Sequence, residues 1–242
     1  MKNNTTVLSK EIIHKIKQYF DYEEKTFLTK NELLNILNIL KIKATIRNLL
    51  RTKIINCIIN NQIYHVCDSK SSISELIETI FPDNNTYYFS GIYAYNTLGF
   101  IEQVPQRYQI INTKFTSKRK LAHWDIIFKK KTAAFLYGIN CDTHFPYPER
   151  ALLDLCYEYE YEKFLEIWEK YFNKINTDLL LGFLTKYPIN AVARRVAYTL
   201  SKKIKIPDNI RLKLVTSSLI QLYSHKSRRG KIEKQWNLII NK

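Results

Sequence analysis

Glycine is scarce in this chain of 242 residues, where it occurs only five times. No two of the glycines lie within two positions of each other: Gly91, Gly99, Gly138, Gly182 and Gly230. Loops that cradle a phosphate need closely spaced glycines, because their backbone N–H groups must wrap around the anion. The sequence therefore argues against the glycine-rich loops of Rossmann, P-loop and kinase folds.

Paired cysteines and long apolar runs are also missing. The four cysteines form no CxxC pair, and we expect reduced thiols that serve mostly as small core residues: Cys57, Cys67, Cys141 and Cys156. His65 with Cys67 and Cys141 with His144 have no partner pair at zinc-ligand spacing, so no metal or other cofactor is expected. Since no apolar stretch has the length of a signal peptide or a membrane span, the sequence predicts a soluble, cytoplasmic protein.

Acidic residues are absent between Glu32 and Asp68, although the whole chain carries 38 basic and 22 acidic residues, a formal net charge of +16. Because a chain rich in lysine, isoleucine and asparagine gains positive charge from AT-rich coding alone, the placement of the charge matters more than its size. A second basic stretch, from Lys186 to Lys234, holds 13 basic residues and two acids. One acidic tract, Glu158–Glu169, is interpreted as a solvated helix face.

Two helices are predicted in the first forty residues. Ser9 precedes an apolar stripe of helical spacing that runs from Ile12 to Phe20. Thr29 and Glu32 then form a capping box, in which each side chain satisfies a free backbone N–H at the start of the second helix. We expect Asn38 at the end of that helix, because asparagine tolerates the left-handed backbone conformation.

A third helix is predicted from about residue 43 to residue 53, with Ile46, Leu49 and Leu50 on one face. Its opposite face carries arginine and asparagine, which can pair with the major-groove edges of guanine and adenine. We therefore interpret it as a DNA-recognition helix. The predicted DNA-binding residues are those of this helix and its flanks and those of the next turn: Lys41, Lys43, Ala44, Thr45, Arg47, Asn48, Arg51, Thr52, Lys53, Asn60, Asn61 and Gln62.

The runs 54–59 and 62–67 are rich in isoleucine, valine and tyrosine and flank Asn60 and Asn61. Since asparagine accepts a positive φ, this pattern predicts a tight β-hairpin. Three helices followed by a hairpin indicate a winged helix-turn-helix domain over residues 1–68. The alternative is a small helical domain whose basic helix is merely solvated.

Residues 68–72 form a polar joint, and a second domain is predicted over residues 73–242. Its strands precede its helices without regular alternation, which indicates an α+β domain that ends in a helical region. The basic segment Lys118–Lys120 is expected to be a loop. Expected helices are 73–81, a short one before Gly99, 148–157, 161–172, 177–186, 191–202 and 208–224, and expected strands are 87–89, 107–112, 124–128 and 235–240.

Four segments of the second domain resemble, in order, those of AbiEi-type antitoxins of type IV toxin–antitoxin systems. They are Tyr88–Ser90 with Ala94 and Leu98–Pro105 (LGFIEQVP), Pro148–Leu155 (PERALLDL), Ala193–Tyr198 (ARRVAY) and Trp236–Asn241 (WNLIIN). The chain departs from the family pattern at Phe100, where a smaller aliphatic residue is more frequent, and in the glycine-free turn before the third helix. With the preceding winged helix, the resemblance covers nearly the whole chain.

This resemblance implies two roles. The N-terminal winged helix would bind inverted repeats in double-stranded DNA upstream of its own operon and repress transcription. The C-terminal domain would counteract a cognate nucleotidyltransferase toxin, and this need not involve a stable complex. Two alternatives are a ligand-sensing winged-helix repressor without a toxin partner and a nuclease component of a defence island.

No catalytic constellation is evident in the sequence. Glu149 is expected to meet the positive end of a helix dipole, and Arg150 and Asp154 to pair along one helix face. A second basic face has three open interpretations: a solvated surface, a contact with flanking DNA, or a contact with RNA. Its residues are Lys118, Arg119, Lys120, Lys202, Lys203, Lys205, Arg211, Lys213, Arg228 and Arg229. Lys226 is close in sequence to the last two.

Overall fold

The chain is α+β and divides into two compact units. A computed structural model describes residues 8–59, 62–67, 71–121 and 123–241, and of Asn84 only the backbone. The first unit comprises residues up to Asn84 together with Lys120–Trp124, and the second comprises Asn85–Arg119 with the residues from Asp125 onward. Within the described residues, no helix has the length and apolar character needed to cross a lipid bilayer.

The described residues of the first unit form four helices and a small antiparallel sheet with the strand order β1-β3-β2. Its elements, in chain order, are α1 Lys10–Glu23, β1 Phe27–Thr29, α2 Lys30–Ile39, α3 Ile46–Arg51, β2 Ile55–Ile59, β3 Ile63–Val66 and α4 Ile73–Ile80. Strand β1 pairs with β3, with Leu28 opposite Tyr64, and was not predicted. The predicted strands flanking Asn60 and Asn61 are confirmed, whereas the two asparagines lie outside the described residues.

The starts of α1 and α2 follow the predicted capping. Ser9 Oγ accepts the backbone N–H of Ile12 at 3.3 Å. At α2, Thr29 Oγ1 accepts the N–H of Glu32 at 3.2 Å, and Glu32 Oε2 accepts the N–H of Thr29 at 2.9 Å. Both predictions are therefore confirmed, and the apolar stripes of the two helices enter one core, in which Ile16 and Leu33 are fully buried.

The end of α2 differs from the prediction, which placed it at Asn38. The helix continues through Ile39, and the left-handed conformation is adopted by Lys41, with φ of 54°. The N–H of Ile42 donates to the carbonyl of Leu37 at 2.9 Å. Leu40 and Ile42 both pack against the core, so burial of these two side chains carries the chain past Asn38.

Helix α4 packs within the first unit, whereas the sequence prediction assigns residues 73–80 to the second domain. The N–H of Thr26 donates to Glu75 Oε1 at 2.8 Å, which ties α4 to the residue before β1. Leu76 and Ile77 are fully buried. Of the predicted joint, Asp68–Lys70 lie outside the described residues.

A four-stranded sheet with the order β4-β5-β7-β6 follows. Its strands are β4 Tyr87–Ser90, β5 Tyr108–Asn112, β6 Ser117–Leu121 and β7 Trp124–Lys130. Strand β5 is antiparallel to β4 and parallel to β7. The prediction of a loop at Lys118–Lys120 is wrong, because Lys118 and Lys120 alternate with the less exposed Arg119 and Leu121, as an edge strand requires.

The second unit also contains six helices and a small sheet with the order β8-β10-β9, all within the described residues. These elements are α5 Gly91–Thr97, α6 Pro148–Glu158, α7 Tyr161–Tyr171, α8 Thr177–Lys186, α9 Asn190–Leu200, α10 Asp208–Leu214, β8 Ile220–Gln221, β9 Lys231–Glu233 and β10 Leu238–Ile240. The expected helices and the terminal strand are thus present, most with ends shifted by a few residues. Their apolar side chains form one core around α6, α8 and α9.

Helix α10 ends at Leu214, although a helix to residue 224 was predicted. The buried side chain of Arg194, on α9, donates from Nη1 to the carbonyl of Ser218 at 2.7 Å. The next residue, Arg195, donates from Nε to the carbonyl of Gln221 at 2.8 Å. These bonds hold the segment in the extended form that lets β8 pair with β10, so the helix cannot continue.

The predicted Arg150–Asp154 pair is confirmed, but it lies in the core, with side chains only 2% and 4% exposed. Tyr187 donates its hydroxyl to Asp154 Oδ1 at 2.9 Å, and Tyr88 donates to Oδ2 at 3.4 Å. Burial opposes the charged guanidinium, yet the Asp154 charge prevails and holds the pKa of Arg150 above its ordinary value. The guanidinium of Arg150 therefore keeps its charge in the core, and the Asp154 carboxylate beside it is hydrogen-bonded by two tyrosines from outside α6.

Arg150 also fixes the chain before α6. Its Nη2 and Nε donate to the carbonyls of Phe135 and Tyr137, each at 3.0 Å. Gly138 follows with φ of +80°, and a Cβ there would lie 3.1 Å from Arg150 Cδ. Only glycine fits both this backbone conformation and this close approach.

Glu149 lies in the first turn of α6, at the positive end of the helix dipole as predicted, and it also contacts a second helix. It is buried, and its Oε1 accepts the N–H of Asn176, the residue that caps α8, at 2.8 Å. The start of α6 is thereby tied to the start of α8.

We expect Asp154→Ala to lower the free energy of unfolding by about 3–5 kcal/mol, because it leaves the Arg150 charge buried without a partner. The exposed Lys163–Glu166 pair is the control, and Lys163→Ala should cost about 1 kcal/mol or less. Urea unfolding followed by circular dichroism measures both. Arg150→Met combined with Asp154→Leu should recover part of the loss, and equal stability of Asp154→Ala and the wild type would contradict this account.

Candidate nucleic-acid interface and a cavity in the second unit

Helix α3 is shorter than predicted, because threonines delimit it. Thr45 Oγ1 accepts the N–H of Asn48 at 3.3 Å and donates to Asn48 Oδ1 at 3.1 Å. At the other end, the hydroxyl of Thr52 donates to the carbonyls of Asn48 and Leu49, each at 3.1 Å. Lys43 and Ala44 thus precede the helix, and Ala44, predicted on the outer face, packs against the core instead.

One face of α3 holds the helix in place and the other is free. Leu49 is fully buried, and Ile46 and Leu50 pack partly buried beside it. Arg47 and Arg51 are exposed and stand one helical turn apart. The predicted division between a buried apolar face and an exposed basic face is therefore confirmed for these residues.

Three lysines flank this helix. Lys41 and Lys43 precede it, Lys53 follows it, and all three side chains are exposed. Lys41 and Lys53 both have a left-handed backbone, with φ of 54° and 55°, so the chain turns sharply on either side of α3. The structure gives none of the five cations of α3 and its flanks an ion-pair partner among the described residues.

The hairpin after α3 is attached to the start of α2. The N–H of Lys30 donates to the carbonyl of Gln62 at 2.8 Å, and the N–H of Gln62 donates to the carbonyl of Ile59 at 2.6 Å. The side chain of Gln62 is exposed. Of the three residues predicted at the tip of the wing, Gln62 is the one that lies within the described structure.

The predicted second basic face is not one continuous stretch of structure. Lys118 and Lys120 are exposed on the edge strand β6, and Arg119 Nε donates to Ser117 Oγ at 3.0 Å. Lys202, Lys203 and Lys205 follow α9, and Arg211 lies on α10. Lys213, also on α10, is exposed, and so are Arg228 and Arg229, which lie between β8 and β9.

Part of this basic face is neutralised by nearby acids. Lys203 Nζ lies 2.8 Å from Glu169 Oε2, and Arg211 Nη2 lies 2.8 Å from Asp208 Oδ1. Lys202, Lys205 and Arg211 line a cavity of about 270 Å³ that Asp208 and Glu233 also line. The three interpretations of this face therefore stay open.

The sequence did not predict a cluster of two glutamates and one histidine in the second unit. Glu160, Glu162 and His225 place their ligand atoms within 4.8 Å of one another. Lys226 Nζ, however, lies 2.9 Å from Glu162 Oε1, so an ammonium already neutralises this carboxylate. The arrangement is that of an ion-pair cluster.

Glu158 contradicts the prediction of a solvated acidic face. Glu166 and Glu169 are solvated, with 66% and 59% of their side chains exposed, but the side chain of Glu158 is only 16% exposed. Its Oε2 accepts the hydroxyl of Tyr95 at 2.8 Å, and its Oε1 accepts the amide of Gln109. Glu158 lines a cavity of about 450 Å³ in the second unit.

The environment of Glu158 favours its neutral form. Burial raises the pKa of this carboxyl, and the charge of Asp154, one turn earlier on α6, raises it further. Hydrogen bonds from Tyr95 and Gln109 and the charge of Lys129, whose Nζ lies 4.0 Å away, act in the opposite direction without reversing the shift. A carboxyl with a raised pKa that lines a cavity is a typical feature of binding and catalytic sites.

No family model matches this chain, and comparison with curated proteins gives no match either. Among solved structures, the chain is similar in fold to the RV2827C protein of Mycobacterium tuberculosis, with a TM-score of 0.61. The two share 15% identity, over 97% of this chain and 92% of that chain. At this identity the likeness concerns the fold alone.

We expect the free energy of unfolding of the wild type to fall relative to Glu158→Gln as the pH rises above about 4, the ordinary pKa of a glutamate carboxyl, because folding raises the pKa of Glu158. A carboxyl whose pKa is raised by folding contributes stability below its ordinary pKa and loses that contribution as the pH rises through the raised value. Urea unfolding at each pH measures the difference. Glu166→Gln, at an exposed site, is the matched control, and a parallel pH dependence for all three proteins would contradict the expectation.

Proposed function

We propose that this protein is a DNA-binding autorepressor and the antitoxin of a type IV toxin–antitoxin system, in which it counteracts a cognate nucleotidyltransferase toxin. In this proposal the first unit is a winged helix-turn-helix domain. Support comes from its element order, in which α1, β1, α2 and α3 precede the β2–β3 hairpin and β1 completes the sheet. In a winged helix-turn-helix domain of this order, α3 would be the recognition helix and the β2–β3 hairpin would be the wing.

The observation that carries the DNA-binding part is the pair Arg47 and Arg51 on the exposed face of α3. Each guanidinium has five N–H donors in a planar fork, which matches O6 and N7 of guanine in the major groove. Both side chains are exposed, and neither has an ion-pair partner among the described residues. We infer that they read base edges.

The flanking residues suit contacts with the DNA backbone. Lys41, Lys43 and Lys53 add three exposed ammonium groups around α3. Lysines at such positions neutralise phosphates and fix the register of a recognition helix without reading sequence. Gln62, at the hairpin, would reach the neighbouring backbone.

The antitoxin part rests on the resemblance of the second unit to AbiEi-type proteins. The residues of those motifs have structural roles here: Arg150 and Asp154 hold the core of α6, and Arg194 and Arg195 hold the segment before β8. Asn241 Nδ2 donates to the carbonyl of Tyr223 at 2.9 Å and ties the chain beyond β10 to the segment after β8. These contacts support a shared scaffold, and the proposed role requires no catalytic step by this chain.

Arg47→Ala combined with Arg51→Ala should weaken binding to the upstream region of its own operon by about tenfold or more at fixed salt, because losing a base-contacting arginine costs about 1–3 kcal/mol. Gel-shift titration measures the affinity. Lys163→Ala combined with Lys170→Ala, which removes the same charge from α7, should leave the affinity within about twofold. The melting temperature should stay constant, because both arginines lie on the exposed face.

Arg47→Lys combined with Arg51→Lys separates base reading from charge. Lysine keeps the positive charge but lacks the two-pronged geometry, so this variant should retain non-specific binding and lose preference for the operator over a scrambled duplex. Wild-type affinity in the alanine variant would refute the assignment of α3 as the recognition helix.

The two proposed roles should be separable in the full chain. Arg47→Ala with Arg51→Ala should rescue growth of cells that express the neighbouring toxin as well as the wild type does, because the antitoxin motifs lie in the second unit. The same variant should fail to repress a reporter driven by its own promoter. Loss of rescue by this variant, at unchanged protein level, would show that toxin neutralisation requires α3.

A further inference from the structure

The cavity beside Glu158 has no part in the proposed function. Its volume of about 450 Å³ lies within the range of small-molecule sites, about 300–1,000 Å³. All of its lining residues belong to the second unit, and they include Arg107, Gln109, Lys129 and Glu158.

The carboxyl of Glu158 is in an unfavourable position for stability. Glu158 is the last residue of α6, where the negative end of the helix dipole disfavours a negatively charged side chain. It is also desolvated, and Asp154 stands one turn away. The hydrogen bonds from Tyr95 and Gln109 and the charge of Lys129 offset this only in part, because the pKa of Glu158 remains raised.

The lining combines three kinds of chemistry. Glu158 and the amides of Gln103, Gln106 and Gln109 offer hydrogen-bond donors and acceptors. Ile92, Ile127 and the ring of Tyr159 offer apolar surface. Arg107 and Lys129 offer positive charge, and Arg107 is 66% exposed with only its Nε committed to Asp125, at 2.9 Å.

We propose that this cavity binds a nucleoside monophosphate. The base would lie against the apolar side chains and hydrogen-bond with Gln109 and Glu158, since amides and carboxylates pair with the edges of bases. The phosphate would lie between Arg107 and Lys129. This arrangement needs no glycine-rich loop, because side chains rather than backbone N–H groups meet the phosphate.

A molecule with only one of these features would leave part of the lining unmatched. Inorganic phosphate would contact the two cations and make no use of the apolar side chains or the glutamine amides. A nucleoside without phosphate would make no use of the two cations, of which Arg107 has only its Nε bonded to Asp125 and Lys129 lies 4.0 Å from Glu158. The combination of a planar base with one anionic group therefore fits the cavity best.

Isothermal titration of the full chain with AMP, GMP, CMP and UMP tests the proposal. We expect saturable 1:1 binding of at least one of them, with a Kd between about 10 μM and 1 mM, which is usual for ligands of this size. The matching nucleoside and inorganic phosphate should each bind at least about tenfold more weakly. Absence of binding of all four at millimolar concentrations, or equal binding of phosphate alone, overturns the proposal.

Two variants locate the site. Glu158→Gln and Lys129→Ala should each weaken binding by about tenfold or more. Lys130→Ala is the matched control, because its side chain points to the opposite face of β7 and does not line the cavity. Binding that none of these variants changes would place the nucleotide elsewhere and overturn the proposal, whereas operator binding by α3 tests the proposed function separately.

Discussion

The buried ion pair between Arg150 and Asp154 organises the second unit. Burying one charge alone costs several kcal/mol, so each side chain is acceptable only while the other is present. Other elements depend on this pair as well, because Asp154 also accepts hydrogen bonds from the hydroxyls of Tyr88 and Tyr187. Tyr88 lies on β4, and Tyr187 is the residue after α8. A sheet and two helices are therefore positioned by one carboxylate, and the cavity beside Glu158 lies one turn further along the same helix.

Features that depend on neighbours in sequence could be predicted. The capping box of Thr29 and Glu32, the pairing of Arg150 with Asp154 and the bounds of α8 at Thr177–Lys186 all follow from spacings of ten residues or fewer, and the structure confirms them. The exposed pair Arg47 and Arg51 belongs to the same class, because a helix of known phase decides which side chains face away from Leu49.

Features that depend on distant residues could not be predicted. The burial of Glu158 requires Tyr95 and Gln109, which are 63 and 49 positions away. The end of α10 is decided by Arg194, which lies 24 residues before the carbonyl it binds. In both places the local pattern indicates a solvated or helical segment, and a partner from elsewhere in the fold overrides it.

The separation between the two faces of α3 has a consequence for how such proteins diverge. Leu49 and the threonines at either end hold the helix, while Arg47 and Arg51 make no contact on which folding depends. Substitutions at these two positions are therefore nearly neutral for stability and are free to accumulate. Duplicated copies of the gene can thus acquire different exposed faces on α3 without any compensating change in the core.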